Sequence, residues 1–208
     1  MAERVPGEGT RWRILEAGRR QLLASGYAGL STRKVAQEAG VPVSQLNYHF
    51  GSKQGLILTL LEDENRRRLA RQTTMYAEDA PLWKRYEQAC DFLEDDLESG
   101  YVRILQEMIA AGWSDPEIGR RVRGLLRGWI DLVTEVAREA ERRHGLGPFT
   151  AEEVGTLVGA AFMGAEAFLL LGFDRQELPI RAALRRIGTL IRELEEGGDH
   201  DAGLPAGG

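Results

Sequence analysis

A pair of short helical segments separated by one glycine constrains the fold of this chain more than any other feature. Glycine and proline punctuation predicts one helix over about residues 32–39 and a second over about residues 42–50, with Gly40 between them and Gly51 after them. Helices of this length are unstable alone in water. We therefore expect longer helices on both sides to brace the pair.

The second short segment has two different faces on a helical wheel. At 100° per residue, Val43, Leu46 and Phe50 turn to one side. The opposite side carries Ser44, Gln45, Asn47 and Tyr48, with His49 at the margin. Two short helices with packed apolar inner faces describe a helix-turn-helix, whose polar residue types suit base edges and phosphates. The wheel alone favours an ordinary solvated helix face, and the helix-turn-helix pattern together with the basic N-terminal third shifts the balance to DNA recognition.

The rest of the chain also predicts helices. Apolar residues recur at spacings of three and four, Ala, Leu, Glu and Arg dominate, and strand signals are nearly absent. We expect an all-α protein of about nine helices, the first over about residues 10–25. Capping boxes are predicted at Ser114 with Glu117 and at Thr150 with Glu153.

Charge is distributed unevenly along the 208 residues. Residues 1–73 hold 12 Lys and Arg against 7 Asp and Glu, a net charge of +5. The remainder hold 15 against 25, a net charge of −10. This asymmetry suggests that only the first third meets a polyanion. A chance fluctuation among solvated charges is the alternative.

The sequence gives little support to an enzyme. It contains three His and no metal-spaced His and Cys set, phosphate-binding glycine loop or nucleophile elbow, so we expect no catalytic residue, metal site or cofactor. A single cysteine, Cys90, suits a reducing cytosol and is expected to be a small buried residue. The lack of a long uninterrupted apolar run argues against a membrane span. The expected location is the cytoplasm.

The stretch "ILEAGRRQLLASGYAGLSTRKVAQEAGVPVSQLNYHFGSKQGLILTLL", residues 14–61, resembles the DNA-binding domain of the TetR family of bacterial transcriptional regulators. The resemblance is carried in order by "GY", "STRKVAQEAGV", "L-x-Y-H-F" and "SK". It implies a homodimer in which each subunit places its third helix in the major groove of a palindromic operator. Carried over by position, it implies a set of DNA-binding residues: Thr32, Arg33, Val43, Ser44, Gln45, Asn47, Tyr48, His49 and Lys53.

Four positions depart from the family pattern. Pro42 replaces a Ser-like helix cap, Asn47 replaces a usual Tyr, and Val43 replaces a usually polar residue. Gly55 stands where a Glu would complete a capping box with Ser52, which suggests a flexible start to the fourth helix. Pro42 and Asn47 are the positions at which the site preference should differ from that of relatives.

The resemblance also implies a division of the chain. We predict a helix-turn-helix DNA-binding domain over residues 1–55, a helical effector-binding and dimerisation domain over residues 56–196, and a disordered tail over residues 197–208. Large side chains of the second domain are candidates for an effector pocket, although aromatic and Met residues at helical spacing more often form a plain core. These candidates are Trp83, Tyr86, Met108, Trp129, Phe162 and Glu166.

The last two predicted helices carry apolar stripes that suit a four-helix contact between two chains, or packing within one chain. The predicted function is a ligand-responsive regulator, namely a repressor released from its operator by a small apolar or amphipathic effector of unknown identity. A transcriptional activator or an effector-independent DNA-binding protein of the same fold is the alternative.

Overall fold

A computed structural model describes residues 6–201, with side chains described from residue 9 to residue 196. All regular secondary structure in this part of the chain is helical, which confirms the predicted fold class and number of helices. The helices are α1 Pro6–Gly29, α2 Thr32–Glu38, α3 Val43–Phe50, α4 Lys53–Tyr76, α5 Leu82–Glu98, α6 Tyr101–Gly112, α7 Pro116–His144, α8 Ala151–Leu170 and α9 Ile180–Asp201.

The helices are grouped into two compact units. The first unit comprises the described residues up to Arg68 together with Asp96–Leu125. The second unit comprises Leu69–Asp95 together with the described residues from Leu126 onwards. The two units are defined by which residues pack together. The predicted boundary at residue 55 divides the chain by function, into a DNA-binding part and an effector-binding part. That functional boundary stays a prediction.

Several helix ends differ from the sequence prediction. Helix α1 is already formed at Pro6, the first described residue, so it starts before the predicted residue 10. At Gly26 its backbone takes φ 67° and ψ −177°, a conformation that favours glycine, so the predicted stop is a break after which the helix resumes briefly. Helix α9 continues to Asp201, into the tail predicted to be disordered, because glycine weakens a helix without removing a backbone donor. Residues 202–208 lie outside the described part.

The two predicted capping boxes have different outcomes. At the start of α8, Thr150 accepts from the backbone N–H of Glu153 and the Glu153 carboxylate accepts in return from the Thr150 N–H, as predicted. At the start of α7 the prediction was wrong. There the Asp115 carboxylate accepts from the N–H groups of Glu117 and Ile118, at 2.9 and 3.2 Å. Asp115 is the residue immediately before Pro116, the first residue of α7, so its carboxylate lies at the N-cap and reaches the N–H groups of the first turn.

The core of the first unit holds the short helices in place. Ile14 of α1, Leu56 and Ile57 of α4 and Met108 of α6 are fully buried, as is Leu46 of α3. Burial of such side chains contributes about 1.5–3 kcal/mol each. This packing supplies the stability that α2 and α3 lack as isolated helices.

Helix α6 also anchors the break in α1 through polar contacts. The Glu107 carboxylate accepts a hydrogen bond from the backbone N–H of Tyr27 at 2.8 Å. Arg103 donates to the carbonyl oxygen of Leu23 at 2.9 Å. A helix interrupted at Gly26 leaves backbone groups without partners in the helix, and these two side chains satisfy one donor and one acceptor.

The second unit has an aromatic core. The Phe162 ring packs edge-on against Tyr86 and Trp129, with centroids 6.2 and 5.9 Å apart. The Tyr86 hydroxyl donates to the carbonyl oxygen of Leu184 in α9 at 3.0 Å, and burial raises the pKa of that phenol. Cys90 is buried nearby, as predicted, and burial raises the pKa of its thiol to about 11.

Helix α8 is the most apolar helix by composition. By length and composition alone, this helix of 20 residues with a mean hydropathy of 1.4 could cross a membrane. A single such helix is weak evidence of a membrane span, because helices packed against protein pass the same test. Its exposed side chains include Leu157 and Phe168.

Candidate nucleic-acid interface

The first turn of α2 is set by a local cap. Ser31 takes an extended conformation and its hydroxyl accepts from the backbone N–H of Lys34 at 3.5 Å. Thr32 is half-buried, whereas Arg33 and Lys34 are exposed. The positive end of the helix dipole and two cationic side chains therefore occupy the same turn, which favours an anion such as a phosphate.

The far end of α2 is tied to α1. Arg20 and Gln21 of α1 both donate to the Glu38 carboxylate. The hydrogen bond from Arg20 is the main reason that the pKa of Glu38 is lowered. These contacts fix the orientation of α2 while its cationic first turn remains exposed.

The turn from α2 to α3 depends on Gly40. Its φ of 65° lies in the left-handed region, and its N–H bonds to the carbonyl oxygen of Gln37 at 3.1 Å. The next N–H, that of Val41, bonds to the carbonyl oxygen of Ala36 at 3.0 Å. This pair of bonds is a Schellman motif, which ends a helix and redirects the chain within two residues. The predicted stop at Gly40 is confirmed.

Pro42 is the residue before α3 rather than its first residue, so the predicted start was one residue early. It takes φ −61° and ψ 148° and gives the helix no side-chain hydrogen bond. Its carbonyl oxygen accepts from the N–H of Gln45 at 3.0 Å. The first turn of α3 therefore lacks the hydroxyl cap that a Ser would supply.

Helix α3 separates apolar and polar side chains nearly as the wheel predicts. Leu46 and Phe50 are buried, at 0% and 8% exposure. The side chains of Ser44, Gln45, Asn47 and Tyr48 are exposed, and Tyr48 reaches 82%. His49 is half-buried, with its ring centroid 5.2 Å from that of Tyr48.

Val43 differs from the wheel prediction. It was expected to turn inward with Leu46 and Phe50, but it is exposed at 37%. It is the first residue of α3, where no preceding helical turn covers the side chain. Its exposure is compatible with its place among the predicted DNA-binding residues.

The junction of α3 and α4 has space only for glycine at residue 55. A Cβ atom there would lie 2.0 Å from the carbonyl oxygen of Phe50. Gly55 also donates its N–H to the Ser52 hydroxyl at 3.0 Å, so Ser52 caps α4 as predicted. The glycine that breaks the family capping pattern thus permits a close approach between the end of α3 and the start of α4.

Lys53 lies at the start of α4 and already has protein contacts. Its ammonium group donates to the carbonyl oxygen of Ala28 at 3.1 Å and lies 5.0 Å from the centre of the Tyr27 ring. Tyr27 is the residue whose N–H is held by Glu107. Sequence reasoning did not find Tyr27 or Glu107, because their contact joins residues 80 positions apart and leaves no local pattern.

All nine predicted DNA-binding residues belong to the first unit, on the first turns of α2 and α4 and along α3. The predicted assignment of these residues to DNA contact stays a prediction. Within the described residues, no group of three or more His, Cys, Asp or Glu side chains is arranged to hold a metal ion.

The six predicted pocket residues do not share one unit. Met108 is fully buried in the first unit, and the other five belong to the second. Tyr86, Trp129 and Phe162 form the aromatic core, while Trp83 is half-buried with the Arg192 guanidinium 5.1 Å from its ring centre. Glu166 is buried at 7% exposure. Their role as an effector pocket stays a prediction.

Comparison with known families identifies the region that contains α2 and α3. Residues 14–60 match the family described as bacterial regulatory proteins, tetR family. The HTH-type transcriptional regulator Rv1816 of Mycobacterium tuberculosis (strain ATCC 25618 / H37Rv) is 32% identical over 128 residues. That match covers 62% of this chain but only 41% of the length of the mycobacterial protein.

Solved structures of similar fold extend along most of the chain. A transcriptional regulator of the TetR family from Agrobacterium tumefaciens has a TM-score of 0.67 at 18% identity, over 90% of this chain and 98% of its own. The regulator FadR of Bacillus subtilis, solved in complex with stearoyl-CoA, has a TM-score of 0.67 at 13% identity, over 89% and 98%. At these identities the likeness shows a shared fold.

Proposed function

We propose that this chain, which carries the DNA-binding domain of the TetR family, is a cytoplasmic transcriptional repressor that releases its operator when a small apolar or amphipathic effector binds. The observation that carries the proposal is the exposed polar face of α3, on a helix whose opposite side buries Leu46 and Phe50. This helix lies in the region that matches the family. An enzymatic role is not proposed.

The DNA contacts follow from the geometry of the first unit. Helix α3 would lie in the major groove, where Gln45 and Asn47 can each pair with an adenine edge through two hydrogen bonds. Tyr48 and Ser44 carry hydroxyls for a phosphate or a base. Arg33 on the first turn of α2 would neutralise a phosphate and make binding sensitive to salt.

The operator-binding form would be a homodimer held by α8 and α9. These helices pack together and still expose large apolar side chains, which soluble surfaces rarely gather without a partner. The exposed set on the two helices is Leu157, Phe168, Leu170, Leu190 and Leu194, with Leu171 directly after α8. Association through them would give a four-helix contact and a two-fold protein suited to a palindromic site.

The solved FadR complex contains stearoyl-CoA, so a protein of this fold can hold an amphipathic molecule. For the present chain, an effector would act by binding better to a state that fits the operator poorly, which lowers DNA affinity by the difference in its own affinity for the two states. Release rather than recruitment is the simplest outcome of such coupling.

The test is selection of binding sites from random duplex DNA, followed by gel-shift titrations of the enriched sequences at several salt concentrations. We expect sequence-selective binding that weakens steeply with salt. Gln45→Ala should weaken it by about 1–3 kcal/mol, while Gln88→Ala, a matched change of an exposed glutamine in α5, should leave it unchanged. The absence of any preferred sequence, or equal effects of the two variants, would contradict the proposal.

A further inference from the structure

Positive charge is in large excess at the start of the first unit. Residues 9–61 contain seven Lys and Arg but only two Asp and Glu. Both carboxylates are already paired, Glu16 with Arg19 at 3.7 Å and Glu38 with Arg20. The other five cations of this stretch form no ion pair with a described carboxylate. These five are Arg11, Arg13, Arg33, Lys34 and Lys53.

Two of these cations, Arg11 and Arg13 of α1, lie outside the predicted DNA-binding set. Both side chains are exposed. Arg13 donates through Nη2 to the Thr10 hydroxyl at 3.4 Å, and Arg11 makes no hydrogen bond to a described residue. Unpaired arginines on a surface are commonly just solvated. Their position relative to α3 therefore decides whether they can take part in binding.

The two arginines lie beside opposite ends of α3. Residues two positions apart point about 200° away from each other around a helix. A Cβ atom added at Gly40, in the turn before α3, would lie 4.0 Å from Nη1 of Arg13. The guanidinium carbon of Arg11 lies 5.6 Å from the centre of the ring of Phe50, the last residue of α3. One cation is therefore held near each end of the helix.

This placement favours phosphates over base edges as the partners of the two arginines. The eight residues of α3 span about 12 Å, close to the width of the major groove of about 12 Å. When such a helix lies in the groove, its exposed polar face meets the bases, and cations beyond its ends come closest to the phosphates of the groove walls. The planar fork of a guanidinium matches phosphate oxygens through two parallel hydrogen bonds.

We propose that Arg11 and Arg13 are DNA-binding residues that contact backbone phosphates on the two walls of the groove in which α3 lies. They fix the register of α3 on the duplex without reading its sequence. This inference rests on the proposed function for the placement of α3. Both residues precede the stretch that matches the family, which begins at residue 14, and they reach α3 only through tertiary packing.

The first experiment measures how operator binding by the full-length protein depends on salt. Arg11→Gln and Arg13→Gln should each make the slope of log affinity against log salt concentration shallower by about 0.9. The advantage of wild type over each variant should then shrink about three- to fourfold between about 50 and about 200 mM salt. The matched control is Arg123→Gln, which removes an exposed and equally unpaired arginine from α7 of the same unit and should leave the slope unchanged.

The second measurement compares duplexes of different sequence. Arg11→Gln and Arg13→Gln should weaken binding by the same factor on the selected operator, on singly substituted operators and on random DNA. Gln45→Ala should instead weaken binding to the preferred sequence alone. Unequal losses across sequences in the arginine variants would identify a base contact and overturn the phosphate assignment. Wild-type salt slopes in both variants, or an equal change in Arg123→Gln, would also overturn it.

A structural role of Arg11 against the Phe50 ring is separated by two further tests. Arg11→Lys keeps the positive charge and should restore the wild-type salt slope, because a lysine also binds phosphate as a point charge. Replacing single phosphates of the operator by neutral methylphosphonates should identify one position that costs wild type affinity but costs Arg11→Gln nothing further. Additive losses at every phosphate, or no rescue by lysine, would contradict a direct contact.

These outcomes distinguish the inference from the proposed function. If wild type binds all duplexes equally, the proposed function fails, while salt slopes on random DNA still decide the role of Arg11 and Arg13. If wild type selects an operator and both arginine variants keep its salt slope, the inference fails and the proposed function stands. A wild type that binds no duplex at any salt concentration overturns both.

Discussion

The helix pairs α2–α3 and α8–α9 both leave a side uncovered, but the two uncovered sides have opposite chemistry. Helix α3 buries its apolar residues and exposes polar ones such as Gln45 and Tyr48. Helices α8 and α9 also bury apolar residues such as Phe162 and Leu184, yet they expose further leucines. An exposed polar side is stable in water and needs no partner to persist, whereas a broad apolar one favours association.

This difference separates two kinds of specificity. The polar side of α3 can select a partner by the direction of its hydrogen bonds, and its helix owes its position to buried contacts elsewhere in the first unit. The apolar sides of α8 and α9 can select a partner only by the shape and the area of the contact surface. Changes at the support of α3 should therefore affect folding, while changes on either uncovered side should affect binding and leave the fold intact.

The largest expected effect comes from Gly55→Ala, which disturbs the packing between α4 and the end of α3. The added Cβ would lie 2.0 Å from the Phe50 carbonyl oxygen, so α3 and α4 must separate. We expect a loss of about 3 kcal/mol in the free energy of unfolding, measured by urea denaturation. In the matched control, Gly124→Ala, the new methyl group meets nothing within 4 Å in the middle of α7 and should stabilise the protein by about 0.5–1 kcal/mol. Equal stability of the two variants would show that the junction is not tight.

The next effect concerns the apolar side of α9. Replacing both Leu190 and Leu194 by Glu should weaken self-association by about 2–3 kcal/mol, because these exposed leucines would be buried by a second copy. Sedimentation velocity at several concentrations measures the change. Trp113→Glu, at a residue 83% exposed outside α8 and α9, is the control and should not alter the association. If the wild-type protein is a monomer, the apolar sides of α8 and α9 do not mediate self-association, and the contrast with the polar side of α3 fails.

On the polar side, Asn47→Ala should leave the free energy of unfolding within about 0.5 kcal/mol of wild type, because the side chain is exposed. It should lower operator affinity by about 1–3 kcal/mol and relax the preference at one base pair. Binding to a set of operators with single substitutions measures both quantities. A uniform loss across all sequences would instead assign Asn47 to a phosphate contact.

The smallest effect concerns Cys90 of α5, in the core of the second unit. Burial raises the pKa of the Cys90 thiol to about 11 from its ordinary value near 9, so the folded state retains its proton at pH values where the unfolded state loses it. Stability should therefore fall as pH rises above 9, by about 1 kcal/mol per pH unit until the folded thiol ionises. Cys90→Ala should flatten this dependence in urea titrations between pH 8 and pH 10. An unchanged slope in that variant would assign the alkaline loss to other groups.

Local patterns explain why much of the fold was predictable. Helix α2 ends just before Gly40, as predicted, and Thr150 with Glu153 forms the expected capping box. The inward positions of Leu46 and Phe50 follow from spacing alone. These features depend on residues within one or two turns of each other, and the sequence displays them directly.

Features that depend on distant contacts were not predictable from the sequence. Gly55 looked like the loss of a capping residue, and only the position of the Phe50 carbonyl explains it. The hydrogen bond between Glu107 and Tyr27 likewise joins residues far apart in the chain. The inward turn expected of Val43 was wrong because a wheel assumes that every position has helix on both sides.

The first unit draws on two separated stretches of sequence, which has a consequence for its synthesis. Its first stretch ends at Arg68 and its second at Leu125, so a ribosome working at about 5–20 residues per second needs about 3–11 s more to complete it. For the first part of that interval, until residue 107 has been made, Tyr27 has no Glu107 to hold its N–H. A nascent chain that already contains α3 therefore lacks part of the first unit, and if α3 binds DNA as proposed, the order of translation delays that binding until the second stretch has been made.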